Sequence, residues 1–193
     1  MMISQTVEEK KYTRQEYFDF EVNSQEKHEY IDGEVRKMAS ETPNHNLIIG
    51  NAFFALKFAL KTKNYDIFVS DQRLWIPEKN IYTYPDIMII QGELQFQEGR
   101  KDTLMNPCLI GEVLSNSTQG YDKDEKFQAY RSIPSFQEYV LIDQYSPQIE
   151  HYRKTDRHQW LFTEYQGLDS ILTLAIDGMT IPLADIYDKV RFD

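Results

Sequence analysis

Residues 81–90, IYTYPDIMII, and residues 108–115, CLIGEVLS, decide the fold, because each is an apolar run of strand length with one carboxylate inside it. The acids are Asp86 and Glu112. Both faces of CLIGEVLS are apolar, which marks a central strand covered on both sides. Glu112 shares a face with Ile110 and Leu114, and glutamate is among the least buried residue types unless it is paired or holds a metal. A buried salt bridge and a functional acid are both open for it. Asp86 is the only charge in its run, and on a strand it would share a face with Tyr84, Met88 and Ile90. An unpaired carboxylate there is expensive to desolvate. Either Pro85-Asp86 marks the start of the strand, with the acid near solvent, or the acid is functional.

The segment YDKDEKFQAYRSIP, residues 121–134, reads as part of a helix beginning near Thr118. At about 100° per residue with Phe127 as zero, Asp124, Glu125, Gln128, Arg131 and Ser132 fall between about 40° and 160°. Ile133, Tyr130 and Phe127 span about 240° to 360°, and Lys126 falls among them at about 260°. Lys126 therefore points inward. Lys123 lies on the same side, but in the first turn, where it reaches solvent. A snorkelling stem, or an i, i+4 pair with Asp122, is the alternative reading of Lys126.

Together the three residues make one site: two acids from neighbouring strands and a lysine from the helix packed on them. Carboxylate oxygens without Cys or His suit a hard ion such as Mg²⁺ or Mn²⁺ rather than zinc. An adjacent ammonium lowers the pKa of a metal-bound water and stabilises the charge that builds when hydroxide attacks a phosphodiester. The combination fits phosphodiester hydrolysis.

The rest of the chain reads as scaffold. Its 193 residues match one domain, 41% hydrophobic and 27% charged residues are ordinary for a soluble globular protein, and residues 1–11 are a frayed polar arm. The single cysteine, Cys108, precludes an intramolecular disulfide and points to a reducing compartment. No apolar run is long enough to cross a bilayer, and the N-terminus does not resemble a signal peptide, so a cytoplasmic protein without membrane partners is expected. Net charge is −10, from 31 acidic and 21 basic residues, which counts against a nonspecific polyanion binder. A metal-dependent enzyme on nucleic acid escapes that objection, since only its substrate-facing surface has to be positive.

Thr13 caps a short helix over TRQEYFDFEV, with Tyr17, Phe18 and Phe20 pinning it to the body. In HEYIDGEVRKMA, Asp32-Gly33 is a two-residue turn pair, so the flanks form a hairpin with Glu34 just past the turn. The stretch TPNHNLIIGNAFFALKFALKTKN forms the longest helix; it is apolar over much of its circumference and should be largely buried against a sheet. DIFVS and RLWIP are strands, QGELQFQEGRKDTLMN is a polar loop, and QEYVLID is a further strand. Antiparallel strands follow in QIEHYRK, QWLFTEY, ILTLAI and GMTIPL, before a last short helix, LADIYDKV. The expected class is mixed α/β (α+β), a central mixed sheet flanked by helices with additional antiparallel strands.

At these residues the sequence resembles the PD-(D/E)XK restriction-endonuclease-like superfamily. It looks most like the branch of restriction endonucleases of the Uma type, once known only as a domain of unknown function. The likeness rests on YIDGEV at 30–35, PNHN at 43–46, YPDIMII at 84–90, GEVLSNST at 111–118 and YDKDEKFQAYRSIPSFQEYVLID at 121–143. It implies that Asp86 is the aspartate of the PD element and Glu112 the acid of the (D/E)XK element. Leu114 stands where that motif has lysine, and Lys126 of the next helix matches the displaced lysine. The resemblance further implies a restriction-endonuclease-like core, Mg²⁺ or Mn²⁺ with no organic cofactor, DNA as substrate, and a homodimer by analogy with enzymes that cut both strands. Glu34 matches an additional acidic position and is a further candidate metal ligand, or else an ordinary exposed strand residue. His45 and Gln72 are candidates for supporting or substrate contacts, although His45 also fits a packing role at the start of the long helix.

Two rival functions stay open on the sequence. One is a catalytically inactive module that keeps the fold for binding. The other is a metal-dependent hydrolase of RNA, since carboxylates cannot read the sugar.

Overall fold

The computed structural model describes residues 10–115 and 119–192. The helix start read at Thr118 and most of the N-terminal arm lie outside them. CLIGEVLS forms β8 (Leu109–Leu114), every residue of which is buried. On one side it pairs in parallel with β9 (Glu138–Asp143), and on the other antiparallel with β6 (Ile87–Gln91). β3 (Tyr65–Val69) and the long hairpin β10 (Gln148–Asp156) and β11 (Gln159–Gln166) extend this sheet to the order β11-β10-β9-β8-β6-β3. Parallel and antiparallel pairs therefore mix at the centre, and β8 is a central strand, as the apolar faces of the 108–115 run require.

Alternation along β8 sends its side chains into two cores. Leu109 and Val113 pack with Ile48, Ile49, Ala52 and Leu56 of α2 (Pro43–Ala59). The opposite face of this helix, expected to be largely buried, leaves Phe54 73% exposed and Phe58 76%. Ile110 and Leu114 pack with Ala129 and Tyr130 of α4 (Phe127–Tyr130) and with Tyr139 of β9. The second sheet has the order β2-β1-β5-β4-β7. Its hairpin, β1 (His28–Ile31) with β2 (Glu34–Lys37), turns at Asp32 and Gly33, both with positive φ, as the Asp-Gly pair dictates. α1 (Arg14–Asn23) begins with a capping box between Thr13 and Glu16 and buries Tyr17 against Tyr30, Trp75 and Tyr82. Phe20, expected to pin this helix, is 42% exposed and meets the body at the edge of His28.

The run 81–90 is not one strand. It divides into β5 (Ile81–Thr83) in the second sheet and β6 in the first. The chain crosses between sheets at Tyr84-Pro85-Asp86, where proline cannot donate to a ladder. The neighbouring crossing, from β3 to β4 (Arg73–Ile76), is tied to it by Ser70 N–H donating to the Asp86 carbonyl at 3.1 Å. The polar loop after β6 also contains a short strand, β7 (Thr103–Leu104), paired in parallel with β4.

After β8, α3 (Gln119–Tyr121) passes through a π turn (Asp122–Lys126) into α4. Wide turns of this kind are frequent at functional sites, and this one turns both Asp122 and Lys126 into the interior. β12 (Ile171–Thr173) and β13 (Thr180–Pro182) make a separate two-stranded sheet, and α5 (Leu183–Ile186) packs against α2. Among the described residues no helix is long and apolar enough to cross a membrane.

Candidate active site

Asp86, Glu112 and Lys126 line one cleft of about 400 Å³ between the sheets and the π turn. Asp86 sits at the crossing just before β6, and its Oδ2 accepts from Val113 N–H at 2.8 Å. In return Asp86 N–H donates to Glu112 Oε2 at 3.2 Å. The two carboxylates are thus held side by side by backbone N–H groups, that of Asp86 itself and that of Val113 next to Glu112. Glu112 Oε1 accepts from Tyr130 Oη at 2.6 Å and from Lys126 Nζ at 3.3 Å. Lys126 Nζ also stands 3.0 Å from Asp122 Oδ1 and 3.7 Å from Glu29 Oε1. The Asp122 contact lacks hydrogen-bond geometry, so the ammonium reaches that oxygen as charge rather than as donor.

His45 reaches the same cleft from the first turn of α2, where Thr42 caps the helix by accepting from His45 N–H. Its Nε2 lies 3.1 Å from Asp86 Oδ2 and 3.2 Å from Glu41 Oε2. Burial alone would lower the imidazole pKa, but the hydrogen bond to Asp86 and the charges of Asp86, Glu41 and Asp122 raise it on balance.

Two expected residues stand elsewhere. Glu34 is not among the cleft residues; its carboxylate is half exposed and accepts from Arg36 Nε and Nη2, each at 2.8 Å. Gln72 turns away and donates to the carbonyls of Arg73 and Asp102. The acid that the hairpin does deliver is Glu29, buried in β1 and accepting from Thr83 Oγ1. In the β1-β2 ladder Glu29 lies opposite Arg36, and Glu34 lies opposite Ile31, two residues nearer the turn. Both acids share a face, so the period-2 pattern could not choose between them. Glu41 and Tyr130 were also missed: Glu41 reads as loop, and Tyr130 as ordinary core.

Six carboxylates line the cleft, Glu29, Glu41, Asp86, Glu112, Asp122 and Glu125, against the cations Arg36, Lys37 and Lys126. The consequence appears at Glu112, 2% exposed. Burial first, and then the charges of Asp86 and Asp122 acting against Lys126, push its carboxyl up to about 8. Lys126 keeps its proton despite burial, because Glu112, Glu29 and Asp122 all favour the charged form. Three cations cannot neutralise six acids, so the cleft is short of positive charge.

That deficit fits a divalent cation. Asp86 and Glu112 offer adjacent carboxylate oxygens, and among the described residues no hydrogen bond is made to Asp86 Oδ1. No group of three or more His, Cys, Asp or Glu side chains among the described residues is arranged as a metal cage. The two adjacent carboxylates would fit Mg²⁺, which keeps several waters and takes one or two carboxylates.

A solved structure from Anabaena variabilis ATCC 29413, titled a "putative nuclease belonging to DUF820", has the same fold. Its TM-score is 0.74 at 16% identity, over 92% of this chain and 98% of that one. The architecture is thus the mixed α+β fold of that structure, with the paired acids and buried lysine at the junction of its sheets. The profile of the Uma2 family, described as "Putative restriction endonuclease", matches residues 14–184, and the chain belongs to that family. Two similar proteins come from Synechocystis sp. (strain ATCC 27184 / PCC 6803 / Kazusa). "Uncharacterized protein sll1609" is 45% identical over 80% of this chain and 88% of its own length. "Uncharacterized protein slr1290" is 33% identical over 94% of each.

Proposed function

We propose that this protein is a metal-dependent endonuclease that hydrolyses DNA phosphodiester bonds in the cytoplasm, with Asp86 and Glu112 holding Mg²⁺ or Mn²⁺. The observation that carries the reading is the buried charge deficit: adjacent carboxylates at Asp86 and Glu112, pressed by further acids, with Lys126 as the one buried lysine among the described residues. The ion would supply counter-charge and a water of lowered pKa. The protein's own groups divide the remaining work. Lys126 keeps a proton on Nζ and presents its charge where negative charge develops on the phosphate. Tyr130 and the Asp86 N–H fix the Glu112 carboxylate, while His45 and the Val113 N–H fix that of Asp86. Arg36 and Lys37 line the cleft and give an otherwise acidic chain a place to receive a phosphate backbone.

The test is nicking of supercoiled plasmid by purified protein with Mg²⁺ or Mn²⁺ and with EDTA. Asp86→Ala, Glu112→Ala and Lys126→Ala should each abolish cleavage, and activity surviving any of them overturns the assignment. Competition with single-stranded RNA distinguishes the two nucleic acids. A protein that cuts neither, and whose melting temperature ignores millimolar Mg²⁺, is a binding module built on this fold.

A further inference from the structure

Two tyrosines beside the paired acids have their hydroxyls engaged within the protein. Tyr130 Oη donates to Glu112 at 2.6 Å. Tyr84 Oη donates to Glu21 at 3.2 Å and accepts from Arg73 Nε at 2.8 Å. A third, Tyr121, is half-buried in the wall of the cleft, and among the described residues no hydrogen bond reaches its hydroxyl. Such a group has a proton to give and nothing in the protein to give it to. Burial, and then the charge of Glu29, raises its pKa, so the phenol stays protonated and able to donate.

The π turn puts Tyr121 where it can be used. At about 100° per residue an α-helix sets Tyr121 and Lys126 about 140° apart, with the phenol on the polar side. Hydrogen bonds in the wide turn span five residues, which swings the two together, and Lys126 Nζ lies 5.6 Å from the ring centroid. Arg36 Cζ lies 5.7 Å from the same ring. The Lys126 side chain is 10% exposed and that of Arg36 42%, so the ring is shared by a deep cation and an outer one. Glu34 takes Arg36 Nε and Nη2, and among the described residues no hydrogen bond takes Nη1.

We propose that Tyr121 is a substrate-binding residue, its Oη donating to a non-bridging oxygen of a phosphate that lies between Lys126 Nζ and Arg36 Nη1. Phosphate is the acceptor that two cations and a neutral donor can share, and such contacts fix a strand in place without reading its bases. The proposal rests on the nuclease reading for its substrate, and adds to it the group that grips the strand.

Tyr121→Phe removes the hydroxyl and keeps the ring, which separates a substrate contact from a packing role. Fluorescence anisotropy on a fluorescein-labelled DNA duplex, with Ca²⁺ replacing Mg²⁺, reads binding, and plasmid nicking with Mg²⁺ reads turnover. The variant should raise the dissociation constant and KM about tenfold, leave kcat within about threefold, and melt as the wild type does. The penalty should be equal for duplexes of different sequence. Arg36→Gln should reduce the slope of log affinity against log salt by about one, while Tyr121→Phe, which removes no charge, should leave it unchanged. Equal dissociation constants for Tyr121→Phe and wild type, a lowered melting temperature, a penalty that varies with sequence, or a slope indifferent to Arg36→Gln overturns the proposal. A wild type that binds duplex in this way but cuts nothing overturns the nuclease reading and supports the contact, whereas one that binds no DNA overturns both.

Discussion

In metal-free buffer at a pH of about 5, Glu112→Gln should be less stable than the wild type, and above a pH of about 8 the order should reverse. The wild-type carboxyl is raised from 4.5 to about 8 in the fold, first by burial and then by Asp86 and Asp122 acting against Lys126. An acid raised in this way binds its proton in the fold at pH values where the unfolded chain has already lost it. Its contribution is fully present below the unfolded value and is lost as pH climbs through the folded one. At up to about 1.4 kcal/mol per pH unit, the window between those values removes on the order of 3 to 5 kcal/mol. The amide of the Glu112→Gln variant cannot ionise, so this slope disappears. The substitution has its own cost, because the amide NH₂ must face either the Asp86 N–H or the Tyr130 and Lys126 donors. A conflict of that kind costs about 1 to 3 kcal/mol, so the two profiles cross. Urea unfolding of both proteins across this range, with EDTA at fixed ionic strength, reads the difference directly. Profiles parallel to within about 0.5 kcal/mol would refute the account of a charge-starved site. Mg²⁺ at a hundredfold excess over its dissociation constant should restore about 2.7 kcal/mol to the wild type at the alkaline end, and much less to the variant.

Three other outcomes follow from the same geometry. Glu138→Ala should cost about 3 to 5 kcal/mol in urea unfolding, because it strands the N–H groups of Ala175 and Ile176 and leaves His151 buried without its partner. Glu34→Ala should change stability by less than about 1 kcal/mol and leave plasmid nicking within a few-fold of wild type. A loss as complete as that of Asp86→Ala would return Glu34 to the metal site. Thr13→Ala breaks the α1 capping box and should cost about 1 kcal/mol, read as a lower melting temperature with cleavage unaffected.

What the sequence by itself determined were features whose physics is local or one-dimensional. Asp32-Gly33 demanded a tight hairpin, Thr13 with Glu16 a helix start, and two-sided apolarity a central strand at residues 108–115. Acids that are expensive to bury marked themselves, and the helical angle of Lys126 placed it inward, as the structure does. Tertiary structure alone decided what depends on which surfaces meet. The crossing at Pro85-Asp86 depends on a second sheet that no residue in the 81–90 run encodes. The choice of Glu29 over Glu34 depends on where along a shared hairpin face the π turn lands, with Arg36 opposite one acid and bound to the other. The bare outer face of α2 has the same origin. Periodicity reports that a helix is apolar all round, but only the packed fold shows that the chain has a single layer with which to cover it.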